Sequence, residues 1–220
     1  MNQPQKHDWK RILKIFSFSS RQVFEEIRPP GTYILVPLTF LLVTTFIVGI
    51  VLTFFYLTGY QPLNELSVHW WFAEATLVHQ ALMVGTMLLT LLYIVVLAVI
   101  LLGTYYYALA RCYRIHDIRW EHWFGFACWT LVPMFMVPSA RVFFENYETA
   151  VYPSFILSVV VLALCFLLPI IWSVYLTVRG LLVWNKNTKR WHIFFCVLPF
   201  LVIGLASFPQ LLELFAEILS

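Results

Sequence analysis

The long apolar stretches of this sequence contain no Asp or Glu, and Arg179 is the single cation inside any of them. A proton-coupled pump would therefore lack a carboxylate relay. Charged residues make up only 11% of the chain, against ~25% in ordinary soluble domains. Four cysteines (Cys112, Cys128, Cys165 and Cys196) show no metal-ligand spacing. Three of them lie within apolar stretches, where Cys acts as a small apolar residue, so no disulfide framework is expected. No phosphate loop, dinucleotide fingerprint, nucleophile elbow or HExxH pair occurs, and no Ser has a base beside it. These absences predict a non-enzymatic protein without cofactor or resident metal. No cleavable signal peptide is expected, because the first apolar run starts near residue 33 and is too long for one.

What is present is hydrophobicity, at 61% of residues, gathered into segments at roughly 33–58, 80–109, 122–140, 151–183 and 192–212. About 20 helical residues cross a ~30 Å hydrocarbon core. Four segments exceed that, and the third is marginal and bounded by Pro138. Between the segments the cations alternate in placement. Six lie before the first segment, Arg111, Arg114 and Arg119 lie in the second loop, and Arg179, Lys186, Lys189 and Arg190 lie around the fourth. The first loop, 59–79, and the residues after 212 have none, and the third loop has only Arg141. Thirteen of the 14 Lys and Arg thus fall on one side. Since cations near span ends stay cytoplasmic, the expected fold is all-α: a polytopic membrane protein with five transmembrane helices, N-in and C-out. Residues 1–32 form a cytoplasmic amphipathic segment and 33–220 the transmembrane domain. The basic edge attracts anionic lipid headgroups, which makes nucleic acid an unneeded partner.

Residues 9–16 set Trp9, Ile12, Leu13 and Phe16 on one helical face, with Lys10, Arg11 and Lys14 to another side. This is the pattern of a short interfacial helix; the alternative is a docking surface for a cytoplasmic protein. Ser19 with Gln22 suggests a capping box opening a second helix, which Arg28-Pro29-Pro30 must end. His69, Glu74 and His79 in the first loop are metal-ligand types, but their spacing puts them on different helical faces. His116, Asp117, Glu121 and His122 in the second loop are interrupted by cations that repel a divalent ion, and a charged rim with internal ion pairs is expected there. Pro133, Pro138, Pro169 and Pro199 fall in apolar segments, where Pro frees a carbonyl and kinks a helix. Broken helices serve transport sites in some proteins and simple packing in others. Arg179 either snorkels to the interface or pairs with Glu121 or Glu25.

The run Trp129-Thr130-Leu131-Val132-Pro133, and the run from Ile171 through Trp172, Tyr175, Arg179 and Gly180 to Leu181, resemble the Yip family of Ypt/Rab-interacting membrane proteins. Phe24-Glu25-Glu26-Ile27-Arg28-Pro29-Pro30 is also similar to that family's entry segment. The resemblance covers most of the chain and implies a five-helix bundle with a cytoplasmic N-terminus. Eukaryotic members are tied to vesicle trafficking and small GTPases and carry a longer hydrophilic N-terminus. The short one here points to the family's bacterial inner-membrane branch. The implied motif is Pro133, Trp172, Tyr175, Arg179 and Gly180: a kink, bulky packing and a close helix approach. The basic cytoplasmic face is Arg111, Arg114, Arg119, Lys186, Lys189 and Arg190. The expected role is an adaptor or organiser in a bacterial cytoplasmic membrane, with anionic lipids and other membrane proteins or further copies of itself as partners. The alternative is a small transporter, channel or lipid-handling protein built on Pro-broken helices.

Overall fold

The structure, a computed structural model, describes residues 9–17, 19–30, 33–57, 77–137, 160, 162–185 and 189–206, and among these there is helix and no strand. Two short helices come first, α1 (Lys10–Ile15) and α2 (Ser20–Glu26). The longer helices are α3 (Leu35–Leu57), α4 (Leu77–Cys112), α5 (Trp120–Leu131), α6 (Leu168–Trp184) and α7 (Arg190–Ala206). Each of the five apolar segments of the sequence carries one of α3 to α7. The boundaries shift. With 36 residues, α4 is about 54 Å long and overruns its apolar stretch at both ends. By contrast α5 has only 12 residues, about 18 Å, and gives way at Pro133 to a 3-10 turn, Val132–Phe135. Pro138 lies outside the described residues. A π-helical turn, Leu162–Leu167, leads into α6 just before Pro169, whereas Pro199 sits inside α7.

Two runs, Leu88–Cys112 and Leu162–Trp184, are long and apolar enough to cross a membrane; Leu35–Val51 and Arg190–Leu205 are shorter apolar helices. Large apolar side chains stand open within residues 43–51 of α3, 89–101 of α4, 164–171 of the π turn and α6, and 201–205 of α7. In water such a band would be a liability; in a bilayer it faces lipid. Past this band the bundle closes over an aromatic core. Tyr106, Trp123, Phe126, Trp129 and Phe200 are each at most 1% exposed. Here α4 and α5 come close at Gly103, where a Cβ would lie 2.9 Å from Phe124 Cα.

The N-terminal residues depart from expectation in two ways. Ile12 does not share the outer face of Trp9, Leu13 and Phe16, but is buried with Ile15 against the bundle. Six residues cannot hold a helix alone, so that docking is what fixes α1. The Ser19 capping box does not form: Ser19 has φ −79° and ψ 4° and makes no side-chain cap, because a capping side chain needs an extended backbone at that residue. The Ser17 hydroxyl instead accepts from the Ser19 N–H at 3.2 Å. The prolines do end α2, whose last residue is Glu26.

Candidate functional site: an N-terminal strap on the aromatic end of the bundle

Three indoles grip the N-terminal residues by their main chain. Trp172 Nε1 donates to the Ile15 carbonyl at 2.9 Å, Trp184 Nε1 to Phe24 at 3.2 Å, and Trp129 Nε1 to Tyr33 at 3.0 Å. Two of the acceptors lie in the last turns of α1 and α2, where helix carbonyls have no partner of their own. A buried Trp in turn needs an acceptor for its N–H. The donors stand on α5 and α6, so the described residues between Ile15 and Tyr33 are strapped along both helices. Trp172 directly follows the open Ile171 on α6, and Leu182 further along the same helix is open as well.

Side chains reinforce the strap. The Phe24 ring, fully buried, packs on Phe126 with centroids 5.6 Å apart. Phe126 meets Trp184 at 4.9 Å and Tyr106 at 5.4 Å. Gly180 makes the space: a Cβ there would lie 2.7 Å from Phe24 Cε1 and closer still to Phe126. The neighbours that crowd Gly180 are rings, not a second helix backbone. On the outer side Arg11 Nε donates to Glu26 at 2.8 Å and its guanidinium covers the Tyr33 ring at 4.7 Å. Lys14 lies 3.9 Å from Glu26, and Arg21 pairs with Glu25 at 2.9 Å. Exposed pairs of this kind contribute about 0.2–1 kcal/mol each, so they set register more than stability.

The other predicted residues are scattered. Pro133 is buried in the 3-10 turn. Arg179 is exposed and donates to Tyr175 Oη at 3.1 Å, so it pairs with neither Glu25 nor Glu121. Trp172 and Tyr175 are ring neighbours at 5.0 Å. In the second loop the expected internal ion pairs do not form. Arg111 instead contacts His116 Nδ1 at 2.9 Å and donates to Tyr107 Oη at 2.8 Å. Arg114 takes a left-handed backbone, φ 60°, and closes α4 through Ile115 N–H to Ala110 at 2.8 Å. Arg119 precedes α5 in extended conformation. Lys189 and Arg190 are exposed at the start of α7, and Lys186 lies outside the described residues. His69 and Glu74 also lie outside them, as does the His79 side chain. Among the described residues no three of His, Cys, Asp and Glu come together as a metal site. In particular His116, Asp117, Glu121 and His122 do not converge.

The aromatic-plus-Pro segment and the Trp172–Gly180 segment thus meet around one strap. The Yip1 domain family model matches residues 13–209. The chain belongs to the Yip1 domain family. It is a membrane protein. Neither curated proteins nor solved structures gave a match. The Yip1 match begins within α1, so the strap lies almost wholly inside the domain. Sequence reasoning missed Trp129 and Trp184 as clamps and Phe24 as the wedge. The available signal was a tryptophan within an apolar stretch, whose N–H favours an acceptor, although the buried Trp123 N–H has none among the described residues. It also missed His192, fully buried between the rings of Tyr113 at 4.8 Å and Trp123 at 6.5 Å.

Proposed function

We propose that this Yip1-domain protein is a non-enzymatic adaptor that organises other components of a bacterial cytoplasmic membrane. It would cross that membrane five times, N-in and C-out, with the strap and the basic loops on the cytoplasmic side. The observation that carries this reading is the strap's outward face. Trp9, Leu13 and Phe16 are open, Leu13 at 74%, beside the cations of α1. Such a face suits the headgroup layer and its anionic lipids, or a membrane-bound partner seated there. The one-sided distribution of Lys and Arg supports the orientation. Neutralising Arg111, Arg114 and Arg119 together to Gln tests it. The expected result is a changed cysteine-accessibility map with reduced recovery of partner proteins. An unchanged map with normal recovery removes the second loop from that role.

A second reading, transport or lipid movement, is favoured by the interrupted helices: the 3-10 turn at Pro133 and the π turn ahead of Pro169. Such breaks line substrate paths in transporters. Flux in proteoliposomes that is lost in Arg179→Gln would support it. No flux across a panel of ions and lipids would count against it.

A further inference from the structure

Two contacts tie the end of α4 to the start of α7. Tyr105 Oη donates to the Phe195 carbonyl at 2.7 Å. That carbonyl is free to accept because Pro199, four residues on in α7, has no N–H to give it. Just past the end of α4, the Tyr113 ring packs on His192 with centroids 4.8 Å apart. The two helices therefore meet antiparallel, and the second contact brings three cations to one end of the bundle. Arg114 follows Tyr113 directly, and Lys189 and Arg190 lie within one turn before His192; all three are exposed. None of them forms an ion pair with a described carboxylate, including Asp117 and Glu121, the exposed acids of the second loop.

The same turn of α7 opens an apolar stripe. Trp191 is 67% exposed, and its ring meets those of Phe194 at 6.0 Å and Phe195 at 6.4 Å. Phe194, Phe195, Val202 and Leu205 are open as well. Their spacing from Trp191 keeps them on one helical face. From Trp191 to Leu205 the stripe runs about 21 Å, more than the ~15 Å of one leaflet in a ~30 Å hydrocarbon core.

We propose that this α4–α7 seam retains an anionic phospholipid, its phosphate held by Arg114, Lys189 and Arg190 and an acyl chain laid along the α7 stripe. The cations select the charge. Three of one sign, without an internal counter-ion, favour a lipid of net negative charge over a zwitterion. The stripe selects a lipid over a soluble anion, because it begins beside those cations and continues down the same helix. Trp191 stands at the junction, and an amphipathic indole suits the boundary between headgroup and chain. This site is distinct from the outward face of α1. The inference rests on membrane insertion of the bundle and is independent of the adaptor role.

Native mass spectrometry of the delipidated full-length protein in detergent tests it, with phosphatidylglycerol, phosphatidylcholine of the same acyl chains and soluble glycerol phosphate as probes. Phosphatidylglycerol is expected to be retained at least about fivefold better than phosphatidylcholine, a difference well resolved as an affinity ratio. Changing Arg114, Lys189 and Arg190 together to Gln should abolish that preference. Changing the strap cations Lys10, Lys14 and Arg21 together to Gln removes the same charge and should leave the preference in place. Trp191→Ala, at an open position, should lower retention of phosphatidylglycerol through a second route. Helicity by circular dichroism checks that each variant folds. Equal retention of the two lipids overturns the proposal, as does a preference that survives in the folded seam variants. Equal loss in the strap variant overturns the seam as the site, since net charge alone would then attract the lipid. Binding of glycerol phosphate with no lipid preference overturns the lipid as the source. The adaptor reading fails separately, through partner recovery, whatever the lipid result.

Discussion

The indole N–H of Trp184 donates to the main-chain carbonyl of Phe24 at 3.2 Å, and the ring of that same Phe24 fills the space left by Gly180, one turn earlier on α6. A single helix thus holds the strap by both its backbone and its side chain. Neither contact suffices alone, since a net hydrogen bond is worth only about 0.5–1.5 kcal/mol. Together with burial of the Phe24 ring, about 1.5–3 kcal/mol by area, they fix a seven-residue helix that could not stand by itself.

Trp184→Phe should therefore loosen the strap while leaving an aromatic ring in place. The Phe24 carbonyl would be stranded in a buried site, at a cost of about 1–3 kcal/mol. Thermal unfolding in detergent should show the loss, and limited proteolysis should show faster cutting within residues 17–30. An unchanged midpoint with unchanged cutting would contradict the clamp.

Gly180→Ala sets two effects against each other. Alanine gains about 1 kcal/mol of helix propensity over glycine, but its Cβ overlaps Phe24 and Phe126, and overpacking costs about 1–3 kcal/mol. The net expectation is destabilisation. In a Phe24→Ala background one of the two obstacles is gone while the closer one, Phe126, stays, so the same change should cost less than in the parent. A double-mutant cycle on unfolding free energy reads this directly; simple additivity would rule out the wedge.

Arg114 is held at φ 60°, where a side chain costs roughly 1–2 kcal/mol. Glycine removes that strain at a cost in unfolded-state freedom of about 0.5–1 kcal/mol. Arg114→Gly should accordingly raise the unfolding midpoint slightly, with the end of α4 intact. A fall in midpoint would mean that the arginine side chain contributes more than its backbone costs.

Arg179→Gln separates a surface contact from a buried pair. Its guanidinium sits 5.5 Å from the Tyr175 ring centroid, and an exposed cation–π contact is worth about 0.5–1 kcal/mol. Breaking a buried ion pair would cost about 3–5 kcal/mol. The expected loss is the smaller one, again measured by unfolding in detergent.

How far the sequence could lead follows from the range over which each interaction acts. Apolar periodicity is local, so all five long helices could be located, and Pro29 and Pro30 marked the end of α2. The shortness of α5 was visible in its marginal apolar segment. The site was much less legible. Ile15 finds Trp172 over 157 residues and Tyr33 finds Trp129 over 96, and no local pattern encodes such pairings. Ser19 has the right neighbours for a capping box, yet its backbone angles, set by docking of α2, exclude one. The second loop reads as a rim of internal ion pairs, but Arg111 makes its contacts to Tyr107 and His116 instead.

The three indole clamps also impose an order of events during synthesis. Ile15 and Phe24 leave the ribosome early, while Trp172 and Trp184 follow some 160 residues later. At about 5–20 residues per second, the strap waits roughly 8–30 seconds for the helix that will hold it. Throughout that interval its apolar side has no groove to enter, so the nascent chain must be sheltered by the membrane surface or by a chaperone. Closure of the strap onto α6 is then among the last steps of maturation, and it reports that the fourth apolar segment has been correctly installed.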